Sequence, residues 1–136
     1  MTTRVDRRAK VGEIIQAVQV GMLTTVQDNG ELRSRPMLCA GCDFDSLWFL
    51  AAESEALTQE AINRRAVNVS FADPGRQLYA SVTGSAEFVQ DEQMVQKLWR
   101  PELKSWFPSG PEERGLAVLR LDIHHAEAWE NDRQVG

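Results

Sequence analysis

Two arginines, two residues apart, are the strongest chemical feature of this sequence. Arg33 and Arg35 flank Ser34 and precede Pro36 in a segment typical of a β-strand. Alternate strand residues share a face, so the two guanidiniums would lie about 7 Å apart and could bracket a phosphate or another anion. Pro36 removes a ladder donor, which predicts an edge or a bulge with backbone groups free for a ligand. The alternative is an exposed cross-strand ion pair with a carboxylate such as Glu87.

Tryptophans are the second group of interest, because planar side chains suit both a core and the walls of a pocket for a flat ligand. The four are Trp48, Trp99, Trp106 and Trp129. Core packing is the default for each. The Trp106-Phe107-Pro108 segment is the exception, since an aromatic pair in a proline-rich loop has little core of its own and could dock on another subunit.

Cys39 and Cys42 have the CxxC spacing of half a zinc site or of a redox dithiol. A strand rather than a helix is predicted after Cys42, so no helix dipole would activate these thiols. Zinc would need two further ligands, and His124 and His125 would point to opposite faces of a strand. We therefore expect reduced cysteines near a hairpin, no metal centre, and two histidines at a turn.

Length and charge set the broad class of the protein. With 136 residues, one domain spanning residues 1–136 is expected. The net charge of −5 disfavours nucleic-acid and membrane-surface partners. The longest apolar run, Leu47 to Ala52, is far shorter than a membrane span, and the N-terminus lacks the apolar core of a signal peptide. A cytoplasmic location is the expectation. The sequence has neither a nucleophile elbow nor a Walker or dinucleotide glycine loop.

The apolar pattern predicts a mainly β domain with peripheral helices. Residues 7–20 form an amphipathic helix with Asp6 as N-cap, and strands 22–27 and 32–40 are joined by a type I′ turn at Asn29-Gly30. Hairpin links without βαβ alternation favour an antiparallel closed or split barrel. Ligands of such barrels bind at mouths or subunit seams, because side chains fill the interior. The other predicted elements are strands at 47–52, 67–71, 78–88, 116–123 and 126–129, a bend at Gly84, a helix at 54–65, a helix capped by Asp91 that stops at Pro101, and an ordered loop or short helix at 101–111.

Several short segments, in their order and spacing, carry a family resemblance. They include Arg33-Ser34-Arg35-Pro36-Met37, Trp106-Phe107-Pro108-Ser109-Gly110 and the closing Ala126-Glu127-Ala128-Trp129. The chain resembles the flavin-binding split-barrel superfamily of pyridoxamine 5′-phosphate oxidase, and specifically its bacterial general stress protein branch. The resemblance implies a six-stranded antiparallel split β-barrel that forms a homodimer, with one FMN in each of two seams between subunits.

The resemblance also assigns roles to residues. Arg33, Ser34, Arg35 and Pro36 would line the phosphate and the ring edge. Trp48 and Phe49 would supply strand backbone beside the isoalloxazine, and Trp106 and Trp129 would come from the partner subunit. Family members commonly have a Ser and a Lys or Arg where the third strand enters the following helix. Ser54 could serve here, and its helix N-terminus could donate backbone N–H groups, but no Lys or Arg lies between Arg35 and Arg64.

The function implied is that of an FMN-dependent oxidoreductase, in which the flavin accepts hydride from NAD(P)H or another small-molecule reductant. No catalytic residue is assigned, because no side chain is an obvious acid or base. The alternatives are a non-catalytic FMN carrier or stress-response binding protein, and a degenerate relative that has lost flavin and binds another anion or a partner. A deazaflavin or haem cofactor is a variant within the same fold.

Overall fold

Six antiparallel strands close into a barrel in the computed structural model, which describes residues 4–52, 66–112 and 115–136. The strand order is β3-β2-β1-β4-β5-β6, and β6 pairs back onto β3. This confirms the predicted six-stranded antiparallel barrel. The strands are β1 (Val20–Val26), β2 (Leu32–Cys42), β3 (Ser46–Ala52), β4 (Ala66–Asp73), β5 (Leu78–Val89) and β6 (Leu116–Glu130), and a short β7 (Arg133–Gln134) extends the sheet beside β6.

Alternate residues of the strands fill the barrel interior with apolar side chains. Leu23, Val69, Val82 and Leu121 are completely buried there, which is the period-two pattern of strands with one buried face. The interior is thus a packed core, and a ligand must bind outside it.

Helix α1 (Arg4–Val18) packs on this core through Val11, Ile14 and Ile15, as its helical spacing predicted. It begins before Asp6, so the predicted N-cap lies within the helix. It ends at Val18 because Gln19 adopts a left-handed φ of 70°. The predicted helix at 54–65 lies outside the described residues.

A second apolar cluster lies on the outside of the sheet formed by β2, β3 and β6. Helix α2 (Glu92–Leu98), the first 3₁₀ turn (Pro101–Ser105) and Phe107 form it with Leu38, Leu50 and Val118. A second 3₁₀ turn spans Gly110–Glu112. Asp91 caps α2 as predicted, accepting from the amides of Gln93 and Met94 at 3.0 and 3.2 Å.

Two turns differ from the sequence predictions. The first hairpin is not type I′: the Gly30 amide donates to the Gln27 carbonyl at 2.8 Å, and only Gly30, with φ of 87°, is left-handed there. It is a turn on Asp28 and Asn29 followed by a left-handed glycine. The type I′ geometry occurs instead between β6 and β7, where Asn131 and Asp132 both have positive φ.

Strand β6 runs through His124 and His125, so the predicted turn between two closing strands is wrong. Thr83 lies opposite His125 whereas Gly84 lies opposite Ile123, which leaves His124 as the extra residue of a β-bulge. The bend predicted at Gly84 marks this bulge. A Cβ there would fall 1.9 Å from the Asp122 carbonyl oxygen, so only glycine allows the two strands to approach.

Within the described ranges, no helix has the length and apolar character needed to cross a membrane.

Candidate ligand-binding site

A cavity of about 340 Å³ lies outside the packed interior, between β2, the end of β3 and the first 3₁₀ turn. It has a cationic side and an apolar side. Its size is at the lower end of the roughly 300–1,000 Å³ range of small-molecule pockets. The lining residues are Arg33, Arg35, Pro36, Met37, Leu38, Leu50, Ala51, Leu103, Trp106 and Phe107.

The two arginines predicted from the sequence form the cationic side of this cavity. Arg33 lies opposite Thr25 and Arg35 opposite Leu23, so both arginines share the face on which β1 buries those two residues. Nη1 of Arg35 donates to Oγ1 of the buried Thr25 at 3.1 Å. The strand register and this bond orient the Arg35 guanidinium. Pro36 also lines the cavity.

The alternative ion pair with Glu87 is wrong, because Glu87 lies opposite Arg120 and forms its salt bridge there. Nε of Arg120 also lies 3.2 Å from Oδ1 of Asp122. The Arg120 guanidinium lies 5.9 Å from the ring of Trp48. Glu87, which the sequence suggested as an ion-pair partner for Arg33 and Arg35, is thus paired with Arg120 instead.

Ser34 projects to the opposite face of β2 from its two neighbours. Its hydroxyl lies 2.7 Å from Oγ1 of Thr24, and it does not line the cavity. Ser54 lies outside the described residues.

Strand β3 contributes to the cavity through other residues than those the resemblance indicated. Leu50 and Ala51 line it. Phe49 is completely buried in the barrel core, and Trp48 packs at the edge of the second apolar cluster. The apolar run of β3 was evident in the sequence. Which of its residues line the cavity depends on where the first 3₁₀ turn packs along the strand.

The side chains of Trp106 and Phe107 differ in burial. Phe107 is buried in the same chain, whereas Trp106 stays 39% exposed at the cavity, so Trp106 is the member of the pair with surface available to another subunit. Trp106 and Arg33 of one chain therefore line the same cavity, whereas the resemblance implied that Trp106 would come from the partner subunit. Trp129 is half-buried on β6 opposite Tyr79 and does not line this cavity.

Leu103 and Phe107 are lining residues that the sequence analysis missed. They reach the cavity because Nη2 of Arg100 donates to the Cys39 carbonyl at 2.6 Å, which holds the 3₁₀ segment against β2. The Arg100-Pro101 dipeptide was the available signal, since it marks where α2 stops and the chain turns back.

The cysteines are free thiols, with Cys39 buried and Cys42 half-buried. Burial, together with the neighbouring Cys42, raises the pKa of Cys39 from 9.0 to about 12. Burial and the Asp43 carboxylate also raise the pKa of Cys42. Both groups are thiols rather than thiolates at neutral pH, which disfavours nucleophilic or redox chemistry. No group of three or more metal-ligating side chains occurs among residues 4–52, 66–112 and 115–136.

Comparisons with known proteins agree with the barrel and with the order of its segments. A family described as pyridoxamine 5′-phosphate oxidase like matches residues 6–135. Protein bli-3 of Neurospora crassa is 31% identical in an alignment 124 positions long that covers 81% of this chain and 59% of that longer protein.

Solved structures show the same fold. The general stress FMN/FAD binding protein of Xanthomonas citri is 29% identical, with a TM-score of 0.76 over 95% of this chain and 91% of that one. A protein of Clostridium acetobutylicum related to general stress protein 26 has a TM-score of 0.80 at 15% identity, over 94% of this chain and 91% of that one. The chain therefore belongs to the pyridoxamine 5′-phosphate oxidase-like family, in its general stress protein branch.

Proposed function

We propose that this chain binds FMN in the cavity between Arg33, Arg35 and Trp106, and that it acts as a homodimeric FMN-dependent oxidoreductase. The observation that carries the proposal is that two guanidiniums, an indole and several apolar side chains line the same cavity. A phosphate dianion favours paired arginines, and a flat conjugated ring favours aromatic and aliphatic neighbours. The X. citri relative, which is described as binding FMN or FAD, supports the same ligand class.

The residues present fit the chemistry of this cofactor. Arg33 and Arg35 would hold the phosphate, with Arg35 oriented by Thr25. Leu50 and Leu103 are almost completely buried, and they form an apolar wall of the cavity that would exclude water from the bound cofactor. Trp106 is the exposed aromatic side chain that would cover the ring.

The small cavity supports a two-chain site. FMN combines a tricyclic ring, a ribityl chain and a phosphate, so a 340 Å³ cavity encloses only part of it, and a second copy would supply the remaining wall. The outer face of β1, β4 and β5 suits that copy, because it carries uncharged side chains such as Met22, Thr24 and Asn68. The Asn68 amide already donates to Ser81 and Thr83 at 2.9 and 3.0 Å, so burying this face would leave few polar groups unsatisfied.

When bound, FMN would supply hydride and electron transfer from NAD(P)H or another small reductant. The chain would position the ring, neutralise the phosphate and exclude water. The described cavity lining has no Asp, Glu, His, Lys or Cys to move a proton. This observation favours a second candidate function, that of a non-catalytic FMN carrier.

The visible absorption spectrum of the purified protein tests cofactor binding. The protein is incubated with FMN and freed of excess by gel filtration. Flavin bands that co-elute with a dimer are expected, and Arg33→Gln should reduce the retained flavin. Arg76→Gln is the control, because Arg76 pairs with Asp73 away from the cavity. A colourless protein, or one that retains only haem or a deazaflavin, would contradict the proposal. Steady-state oxidation of NAD(P)H by the flavin-loaded dimer then separates the enzyme from the carrier.

Riboflavin provides a sharper version of this experiment, because it has the ring of FMN without the phosphate. If the arginines hold the phosphate, Arg33→Gln weakens FMN binding and leaves riboflavin binding nearly unchanged. Equal losses for both ligands would contradict the assigned role of Arg33.

A further inference from the structure

A second cavity, of about 260 Å³, lies at the other end of the β3 and β6 strand pair, and we name it the histidine cavity. The first cavity is at Ala51, which lies opposite Ala117, whereas the histidine cavity begins beyond Ser46, which lies opposite Asp122. At about 3.3 Å per strand residue, most of the length of β3 separates the two. Its polar side chains are Arg7 and Arg8 of α1, His124, His125 and Glu127 of β6, and Gln134 of β7, and Ala126 and Gly136 also line it.

The β-bulge brings the two histidines together. Consecutive residues of a regular strand point to opposite faces, which is why the sequence predicted that His124 and His125 would diverge. Because His124 is the extra residue opposite Thr83 and Gly84, the alternation is interrupted and both histidines line one cavity. Gly84 fixes this arrangement, since any side chain at that position would collide with the Asp122 carbonyl.

The charges around this cavity favour an anion. The whole chain has a net charge of −5, yet the titratable side chains that line this cavity are two arginines, two histidines and one carboxylate, that of Glu127. That carboxylate is already engaged, because its Oε1 lies 3.1 Å from Nε2 of His125. Nε2 of His124 lies 3.3 Å from the hydroxyl of Ser85. Guanidinium groups only donate hydrogen bonds, and ring N–H groups add further donors, so donors exceed acceptors here.

Arg8 and Gln134 are held in place at the cavity. The Arg8 guanidinium lies 5.6 Å from the centroid of the Phe44 ring, a cation–π arrangement. The Gln134 amide donates to the Gly136 carbonyl at 3.1 Å. Arg7, by contrast, is exposed.

We propose that the histidine cavity binds the phosphate group of a small phosphorylated molecule, independently of the flavin. Phosphate matches a set of guanidinium and imidazole donors because it accepts several charge-assisted hydrogen bonds at once. The cavity is smaller than pockets for drug-sized ligands, so its ligand is a small phosphate monoester.

Isothermal titration calorimetry with inorganic phosphate and glycerol phosphate tests this site. The background is the Arg33→Gln/Arg35→Gln double variant, which removes both guanidiniums of the first cavity and makes the result independent of flavin binding. Saturable binding is expected in that background. Adding Arg7→Gln should weaken it about tenfold, as expected for losing a hydrogen bond to a charged group. Adding Arg76→Gln should leave it unchanged.

Several results would overturn the proposal. Phosphate binding that is present in the natural chain and lost in the double variant would assign the anion to the first cavity. Binding that survives Arg7→Gln together with His125→Gln, in a protein with unchanged circular dichroism, would place the anion elsewhere. Succinate that binds more tightly than glycerol phosphate would identify a carboxylate site instead.

Discussion

Arg35 and Thr25 join the candidate site to the barrel core, because the guanidinium donates to the hydroxyl of Thr25, a residue that is only 1% exposed. Replacing Thr25 with valine keeps the shape and removes this acceptor. We expect Thr25→Val to weaken FMN binding by about fivefold to tenfold, since the lost bond involves a charged group. Ser46→Ala is the matched control, because Ser46 is also a buried hydroxyl residue but bonds to Asp122 at the other end of β3, away from the cavity. Fluorescence titration of FMN measures both, and equal losses in the two variants would contradict this role of Thr25.

Trp106 and Phe107 are neighbours with different burial, which predicts opposite effects of alanine. Phe107→Ala removes a buried ring and should destabilise the chain by about 3 kcal/mol. Trp106→Ala should leave the unfolding midpoint nearly unchanged, because the indole is 39% exposed, and should lower flavin retention. Urea unfolding and flavin retention, measured on both variants, check the contrast. A large loss of stability in Trp106→Ala would show that this side chain serves packing.

Gly84 and Gly12 predict opposite responses to the same substitution. Gly84→Ala would force a Cβ against the Asp122 carbonyl and should destabilise the barrel by more than about 3 kcal/mol, because β5 and β6 must separate. Gly12→Ala would place its Cβ 3.9 Å from Sγ of Cys42 in ordinary contact, and should stabilise α1 by about 0.5–1 kcal/mol. Thermal unfolding of the two variants measures the difference. A Gly84→Ala protein with unchanged stability would contradict the bulge.

Cys39 predicts a pH dependence of both reactivity and stability. Its pKa in the folded chain, about 12, lies above the ordinary value of 9.0, because burial disfavours the thiolate. The thiol therefore favours the folded state fully below about pH 9, and this contribution is lost as the pH rises toward 12. At pH 8 we expect iodoacetamide to modify Cys39 only after unfolding and Cys42 more readily. Mass spectrometry of the alkylated peptides checks this order, and rapid modification of Cys39 in the folded chain would contradict it.

Much of the barrel could be predicted from local patterns. Val67, Val69 and Phe71 alternate with polar residues, and all three are buried inside the barrel. Asp91 has the residue type of a helix cap and acts as one. These features depend on a few neighbouring residues, so the sequence determines them directly.

The site could be predicted only in part, because its walls come from distant segments. The spacing of Arg33 and Arg35 was enough to place both on one face. Leu103 reaches the same cavity through the bond from Arg100 to Cys39, which joins residues 61 positions apart and leaves no local pattern. The histidine cavity escaped prediction for a similar reason, since the bulge at His124 depends on how β6 pairs with β5.

The two apolar clusters on either side of β2, β3 and β6 have an evolutionary consequence. The cluster inside the barrel holds the fold together, whereas the outer one anchors residues 92–107, which carry one wall of the candidate site. Exchange of that single segment between relatives would change ligand selectivity while the barrel stays intact. The fold can thus acquire new ligands through sequence changes in this one segment between β5 and β6.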